Sequence, residues 1–294
     1  MQKKFIYKES NVFSFLSQAI KWISERFWGM LFLLIVVMLL LPKGDNISMA
    51  NLQEIELKGT IMDATQIVEE IYSAKEDDSI KGVLLNIDSP GGGVAPSVEI
   101  SYAIKSLKEK KPVVVYSSGT MASGGYYSAI YANEIISNPG SLVGSIGVIM
   151  QGVNIEELLK TLGIQNQTIK EGKYKEVGTP MRAWTDFEKA ELESITKETY
   201  AMFVADVAKA RGLDISKAST YADAHIFTAA KAKDAGLIDA IGTREDAKNR
   251  LITLSGVKNP SWKQKDKFER FIEKIQQSAI SQVSAYLVAP KALF

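Results

Sequence analysis

Pro112-Val-Val-Val-Tyr-Ser-Ser-Gly-Thr-Met-Ala-Ser-Gly-Gly-Tyr-Tyr127 is the stretch on which the fold turns. Residues 112–116 are β-branched or aromatic after a proline and read as a short buried strand, whereas residues 126–132 read as the opening of a helix. A strand that passes through a tight turn directly into a helix is the repeating unit of an α/β domain. The turn also leaves one hydroxyl prominent, that of Ser123. Gly124 and Gly125 remove side chains beside it, so a substrate carbonyl can approach the N–H groups that open the helix. On these residues alone, a plain Ser/Gly turn accounts for the stretch as well as a nucleophile does.

The same grammar recurs on either side. Val83-Leu-Leu-Asn-Ile-Asp-Ser-Pro-Gly-Gly-Gly-Val94 is another apolar strand, ending in three glycines before a helix over 94–107. A loop of that kind exposes backbone N–H groups, and together with an N–H beside Ser123 it would form an oxyanion hole. Upstream, alternation predicts a strand over 52–61, and helical spacing of Ile67, Val68, Ile71 and Tyr72 predicts a helix over 64–74. Downstream, strands are expected at 134–137, 143–150 and 167–169, with a short helix over 156–162. Ile169-Lys-Glu-Gly-Lys-Tyr-Lys-Glu176 then supplies three lysines, one of which could serve as a base. Thr185 followed by Glu188 is a capping-box signature for a long helix through about Arg211. Ile195, Tyr200, Phe203, Val204 and Val207 are its expected packed face, and the helix reads as scaffold. Residues 222–239 read as a turn, a helix stopped by Gly236, and a final short strand.

Four of these motifs carry a resemblance in register. Asp88-Ser-Pro-Gly-Gly-Gly93, Met121-Ala-Ser-Gly-Gly-Tyr-Tyr127, Gly144-Ser-Ile-Gly-Val148 and Gly172-Lys-Tyr-Lys175 together resemble the signal peptide peptidase A family. These are membrane-bound Ser-Lys serine peptidases of the ClpP/crotonase superfamily, and the likeness runs from about Ile55 to about Leu254. It implies an α/β fold, a ClpP/crotonase-like spiral of βα units, and a peptidase acting on cleaved signal peptides and unfolded or membrane-derived peptides. Carried over by position, it implies Ser123 as nucleophile, Lys175 as general base, Gly92 and Gly124 as oxyanion donors, and Ser145 as the hydroxyl that orients the lysine. Lys170 and Lys173 are the near misses. Longer members resemble two fused copies, and this chain holds one, so a homo-oligomeric ring is expected to complete its sites.

Composition narrows the chemistry independently. The chain carries 35 basic against 34 acidic residues, which gives no field to attract nucleic acid. It has no cysteine and a single histidine, so thiol catalysis, Cys-based metal sites and His-rich metal sites are excluded. No metal or organic cofactor is expected, since the glycine run at 91–93 has neither Walker A nor GxGxxG spacing. Met121-Ala-Ser-Gly-Gly125 also departs from the GxSxG elbow of α/β-hydrolases. A lysine base would have to be desolvated, because moving an ordinary lysine from about 10.4 to roughly 7–8 requires destabilising its ammonium by about 4 kcal/mol.

The N-terminal region sets an expected location. Residues 27–41 are uncharged but span only about 22 Å as helix, against a hydrocarbon core of roughly 30 Å. Trp22 and Ile23 lengthen the run if Glu25 and Arg26 snorkel. Lys3, Lys4, Lys8, Lys21 and Arg26 precede it and only Lys43 follows closely, so residues 1–26 are expected in the cytoplasm. The division is thus a cytoplasmic segment (1–26), an anchor in the bacterial inner membrane (27–42), a linker (43–51), an extracytoplasmic peptidase domain (52–256) and an amphipathic helical extension (257–294). Ser48-Met-Ala50 also fits a cleavage site, which keeps a removed signal peptide open. Two other functional readings stay open: a ClpP-like triad using His225 with Asp223 or Asp239, and a non-catalytic membrane scaffold.

Overall fold

The structure is a computed structural model that describes residues 21, 26–29, 31–33 and 50–263. The chain divides into two units, Met1–Ser48 and Met49–Phe294. In the first, the described residues are helical and carry Phe27, Trp28, Phe32 and Leu33 exposed. Among the described residues no helix is long and apolar enough to cross a membrane, and most of the expected anchor lies outside them. The helix expected beyond residue 263 lies outside them too.

The second unit is built on strands β1 (Leu52–Lys58), β2 (Gly82–Ser89), β3 (Val113–Ala122), β4 (Glu134–Ser137), β5 (Leu142–Gly144), β6 (Ile226–Thr228) and β7 (Ala240–Ile241). Its helices are α1 (Thr65–Glu76), α2 (Val94–Lys108), α3 (Gly124–Ala129), α4 (Glu156–Thr161), α5 (Asp186–Arg211), α6 (Ala218–Tyr221), α7 (Ala229–Asp234) and α8 (Arg244–Ser255). The sheet runs β1-β2-β3-β4-β7, every pair parallel. Parallel strands need crossovers, which α1 and α2 supply between the first three strands. Alternation sorts the strands' two faces. Val83, Leu85, Ile87, Val113 and Val115 face the larger core, which includes buried residues of α1, α2 and α3. Leu84, Val114 and Tyr116 face a smaller core closed by Leu251 of α8 and by Trp262.

β3 serves two partners in succession. Its first half pairs with β4, and residues 120–122 pair with β5, which in turn holds β6 antiparallel. Between the halves the β2–β3 register slips, from Ile87 opposite Ser117 to Ser89 opposite Met121. Asp88 accepts the Thr120 N–H at 2.8 Å at the slip. A Cβ on Gly119 would lie 2.4 Å from the same carboxylate, so a side chain there would displace Asp88 from this bond. The slip lets β3 continue past the end of the 112–116 strand read from sequence, and it brings Ser123 to the carboxyl edge of the sheet.

Three expectations are corrected. The strand expected over 143–150 stops at Gly144, because Gly144 (φ 107°) and Ser145 (φ 51°) turn the chain out of the sheet. Residues 167–169 form no strand; Ile169 is fully exposed and has no strand beside it. Ile195, expected on the packed face of α5, is exposed, whereas Phe203, Val204 and Val207 are buried as expected. The chain also returns to the sheet near the end of the described region. Trp262 bridges Leu52, and Ser261 accepts the Asn51 N–H at 2.8 Å.

Candidate active site

Ser123 occupies the junction between β3 and α3 with φ 51° and ψ −123°, a conformation that costs a non-glycine residue of order 1–3 kcal/mol. Both of its backbone polar groups are engaged. Its N–H donates to the Gly144 carbonyl at 2.8 Å, and its carbonyl accepts from Tyr127 N–H at 2.9 Å. The side chain is left partly exposed, without a capping bond to its own helix.

The glycine loop packs directly on this junction. Ile61 donates to the Gly91 carbonyl at 2.9 Å and accepts from the Gly93 N–H at 2.7 Å, forming a parallel bridge to Gly92. In such a bridge the central residue's own N–H points away from its partner, so the Gly92 N–H is not used by Ile61. A Cβ built on Gly124 would lie 3.3 Å from the Gly92 nitrogen. One built on Gly91 would lie 2.6 Å from the Gly124 nitrogen and 2.8 Å from the Ser123 Cβ. Gly124 is the first residue of α3, so its N–H has no partner within the helix. Two backbone nitrogens therefore lie close beside one serine, and side chains on the glycines would force them apart.

The junction opens into a cavity of about 80 Å³. Its walls are mostly apolar: Val94 and Val98 from α2, Ile149 from the strandless segment after β5, and Met202 and Phe203 from α5. Tyr127, Ser97, Val148 and Thr199 also line it. Ser97 is buried and donates to the Gly93 carbonyl at 2.7 Å, tying α2 to the glycine loop. None of these lining side chains was identified as functional from the sequence. Val94 and Val98, four apart just after the glycines, were a usable signal; nothing local ties residues of α5 to a serine some eighty positions earlier. The reading of that helix's aromatics as scaffold is therefore incomplete, since Phe203 belongs to both core and cavity.

Burial and the Asp206 carboxylate together push the Tyr127 phenol far above its ordinary value, and it donates a hydrogen bond to that carboxylate. Tyr131 is pushed up to about 12, by burial first and then by Asp206.

The structure does not bring Lys175 to Ser123 within one chain. Lys175 lies exposed in a turn, its N–H on the Gly172 carbonyl at 3.2 Å, and is absent from the cavity wall. That turn is bolted to the start of α5. Glu176 accepts from Lys170 at 2.5 Å and from Arg182 at 2.9 Å, and Arg182 grips the fully buried Glu188 at 2.8 and 2.9 Å. Tyr174 packs edge-on against Phe187, with ring centroids 5.7 Å apart. From Phe187 to Thr199, where α5 meets the cavity, the helix rises about 18 Å. The other two lysines are engaged, Lys170 in that ion pair and Lys173 over the Phe187 ring at 4.9 Å.

Ser145 follows directly on the Gly144 carbonyl that holds Ser123, and its own N–H donates to the His225 carbonyl at 2.7 Å. His225 is exposed and off the cavity wall. Asp239 accepts from Ile135 N–H and from Arg211, so it is committed to structure and is not orienting a histidine.

The sequence profile of peptidase family S49 matches residues 105–258, just over half of the chain, and that of Clp protease matches residues 46–140. The chain belongs to peptidase family S49. It is 43% identical over 198 residues to a Methanocaldococcus jannaschii protein named as a protease, covering 67% of this chain and 64% of that one. It is 35% identical over 183 residues to an Enterococcus faecium protein provisionally named signal peptide peptidase SppA, covering 62% and 53%. The S49 chain thus spans less than two thirds of either relative. A serine-to-alanine variant of the 1510-N membrane-bound stomatin-specific protease shares the fold, with TM-score 0.50 and 17% identity over 74% of this chain and 99% of that one.

Proposed function

We propose that this chain is a serine endopeptidase that cleaves extended peptides through a Ser123–Lys175 dyad, with remnant signal peptides and other unfolded or membrane-derived chains as substrates. The observation that carries the reading is the strained Ser123 at a strand-to-helix junction, flanked by the Gly92 and Gly124 N–H groups and opening on an apolar cavity. The Ser123 Oγ attacks the scissile carbonyl while its proton passes to the neutral Lys175 amine. The carbonyl oxygen, now negative, is received by the two N–H donors. Collapse of the tetrahedral species returns the proton to the leaving amine, and water hydrolyses the acyl-enzyme by the reverse sequence. Ser145 orients the lysine.

Lys175 is favoured over its neighbours because Lys170 and Lys173 already have partners. Its position away from the cavity supports a site shared between subunits of a homo-oligomeric ring. So does the run of exposed apolar residues between the two, including Ile149, Val153, Leu162 and Ile169. The asymmetry of basic residues around 27–42 supports an inner-membrane anchor with residues 1–26 cytoplasmic and the peptidase domain outside. Within that arrangement, residues 43–51 link anchor to domain, and residues 257–263 stay on the domain through Trp262 beside Leu52 ahead of the C-terminal extension.

Fluorophosphonate labelling of the full chain tests the reading. Label on Ser123, no hydrolysis by Ser123→Ala or Lys175→Ala, and retained hydrolysis by Lys173→Ala and His225→Ala are expected. A live Lys175→Ala with a dead His225→Ala would transfer the base to the histidine, and an unlabelled wild type would leave a scaffold.

A further inference from the structure

The cavity beside Ser123 has one wall on α5, supplied by Thr199, Met202 and Phe203 on a single helical face. One turn further on, the same face carries Asp206, a half-buried carboxylate beside the buried Val207. A charged group there is costly unless it is partnered. Its partner is the Tyr127 hydroxyl. Tyr127 stands four residues after Ser123, its ring lines the cavity, and Phe203 meets that ring edge-on with centroids 4.8 Å apart. Tyr131, one turn beyond, flanks the same carboxylate, stacks on Tyr102 at 6.3 Å and lies under the Lys105 ammonium at 4.9 Å. Asp206 therefore sits between the phenols of Tyr127, which lines the cavity, and Tyr131, while it lies itself on α5 one turn beyond the residues that form the cavity wall.

We infer that the Tyr127–Asp206 hydrogen bond determines specificity: it fixes α5 against α3 and so sets how large an apolar side chain the cavity accepts on the acyl side of the scissile bond. Asp206 is a positioning residue that acts through Met202 and Phe203, and Tyr127 is both wall and anchor. A hydroxyl-to-carboxylate bond is among the stronger and more directional contacts available, suited to holding a helix at a defined distance. Van der Waals packing of Phe203 alone would let the wall yield to a larger guest. This inference rests on the proposed role of Ser123 and adds the wall that selects the substrate.

The test compares two peptide series differing only in leucine or phenylalanine on the acyl side of the cleaved bond, using the full chain in detergent. Tyr127→Phe keeps the ring and removes the bond; Asp206→Asn keeps the size and removes the charge. Both are expected to raise the phenylalanine-to-leucine ratio of kcat/KM by about tenfold, mainly through KM for phenylalanine, the scale on which a pocket discriminates neighbouring apolar groups. The double variant should add little to either single one. Ratios within twofold of wild type in both variants, even with lowered thermal stability, would overturn the inference and leave the bond structural. Failure of the underlying reading is separate, since it shows as absence of fluorophosphonate label on Ser123 in the wild type.

Discussion

At the scale of single residues, the site depends on what glycine leaves out. A Cβ on Gly124 would lie 2.2 Å from the Ser97 Oγ and 3.1 Å from its Cβ, so the obstruction is chiefly one hydroxyl. Gly124→Ala is therefore expected to lower kcat by at least about tenfold, as one of the two proposed oxyanion donors is displaced. Ser97→Ala in the same chain should restore part of that loss, because only the 3.1 Å contact with the residue 97 Cβ and the 3.3 Å contact with the Gly92 nitrogen then remain. A Gly124→Ala variant with wild-type kcat would remove Gly124 from the donor set. No such rescue is expected at Gly92, where the added Cβ would meet the Ile61 carbonyl at 2.1 Å and backbone has nowhere to retreat. The placement of Ser123 and of the glycine runs at strand-to-helix turns was legible in the sequence because strand, turn and helix are adjacent along the chain; the choice of Gly92 and Gly124 among those glycines came from the family resemblance. Ser97 was not. Its role comes from the packing of α2 on the glycine loop, which leaves no local trace beyond a small residue in an apolar helix.

Among the elements, α5 links the turn that carries Lys175 to the cavity wall. Its start was readable, since Thr185 and Glu188 form the capping box that their spacing predicts. What spacing could not tell is that Glu188 also closes the Arg182–Glu176 network, because a capping glutamate and a salt-bridged one look alike in a sequence. Bonds from Arg182 and from the Thr185 N–H hold the Glu188 carboxyl down to about 2, against the opposing effect of burial. A carboxyl depressed on folding contributes stability that is complete above its ordinary value near 4.5 and is lost as pH falls toward 2. Thermal unfolding of wild type and Glu188→Gln followed from pH 6 to pH 2 checks this. The wild-type advantage should be greatest at the upper end and shrink on acidification; an advantage independent of pH would mean that the carboxyl's charge adds nothing. The neighbouring strand read at 167–169 failed for a related reason. A β-branched pair such as Thr168-Ile169 makes a strand only where another strand can receive it, and residues 167–169 pair with none.

For the whole molecule, the parallel sheet explains why Ser123 and Gly92 meet. β2 and β3 are neighbours running the same way, so the loops at their carboxyl ends converge. Nothing in that topology brings the Lys175 turn to the same edge, because α5 holds it about 18 Å along the helix from the cavity. In a closed ring of identical subunits in head-to-tail contact, each turn can instead meet the next subunit's Ser123. Mixing two inactive variants measures this. A Ser123→Ala subunit still offers Lys175, and a Lys175→Ala subunit still offers Ser123, so an interface is complete only when the first kind donates to the second. Random exchange in equal amounts makes that so at about one interface in four. The mixture should therefore recover roughly a quarter of wild-type hydrolysis, whatever the ring size, while each variant alone stays inactive. If light-scattering and tagged-subunit pulldown show that exchange has occurred and hydrolysis is still absent, both members of the dyad come from one chain, and the Lys175 turn must swing toward the cavity on substrate binding.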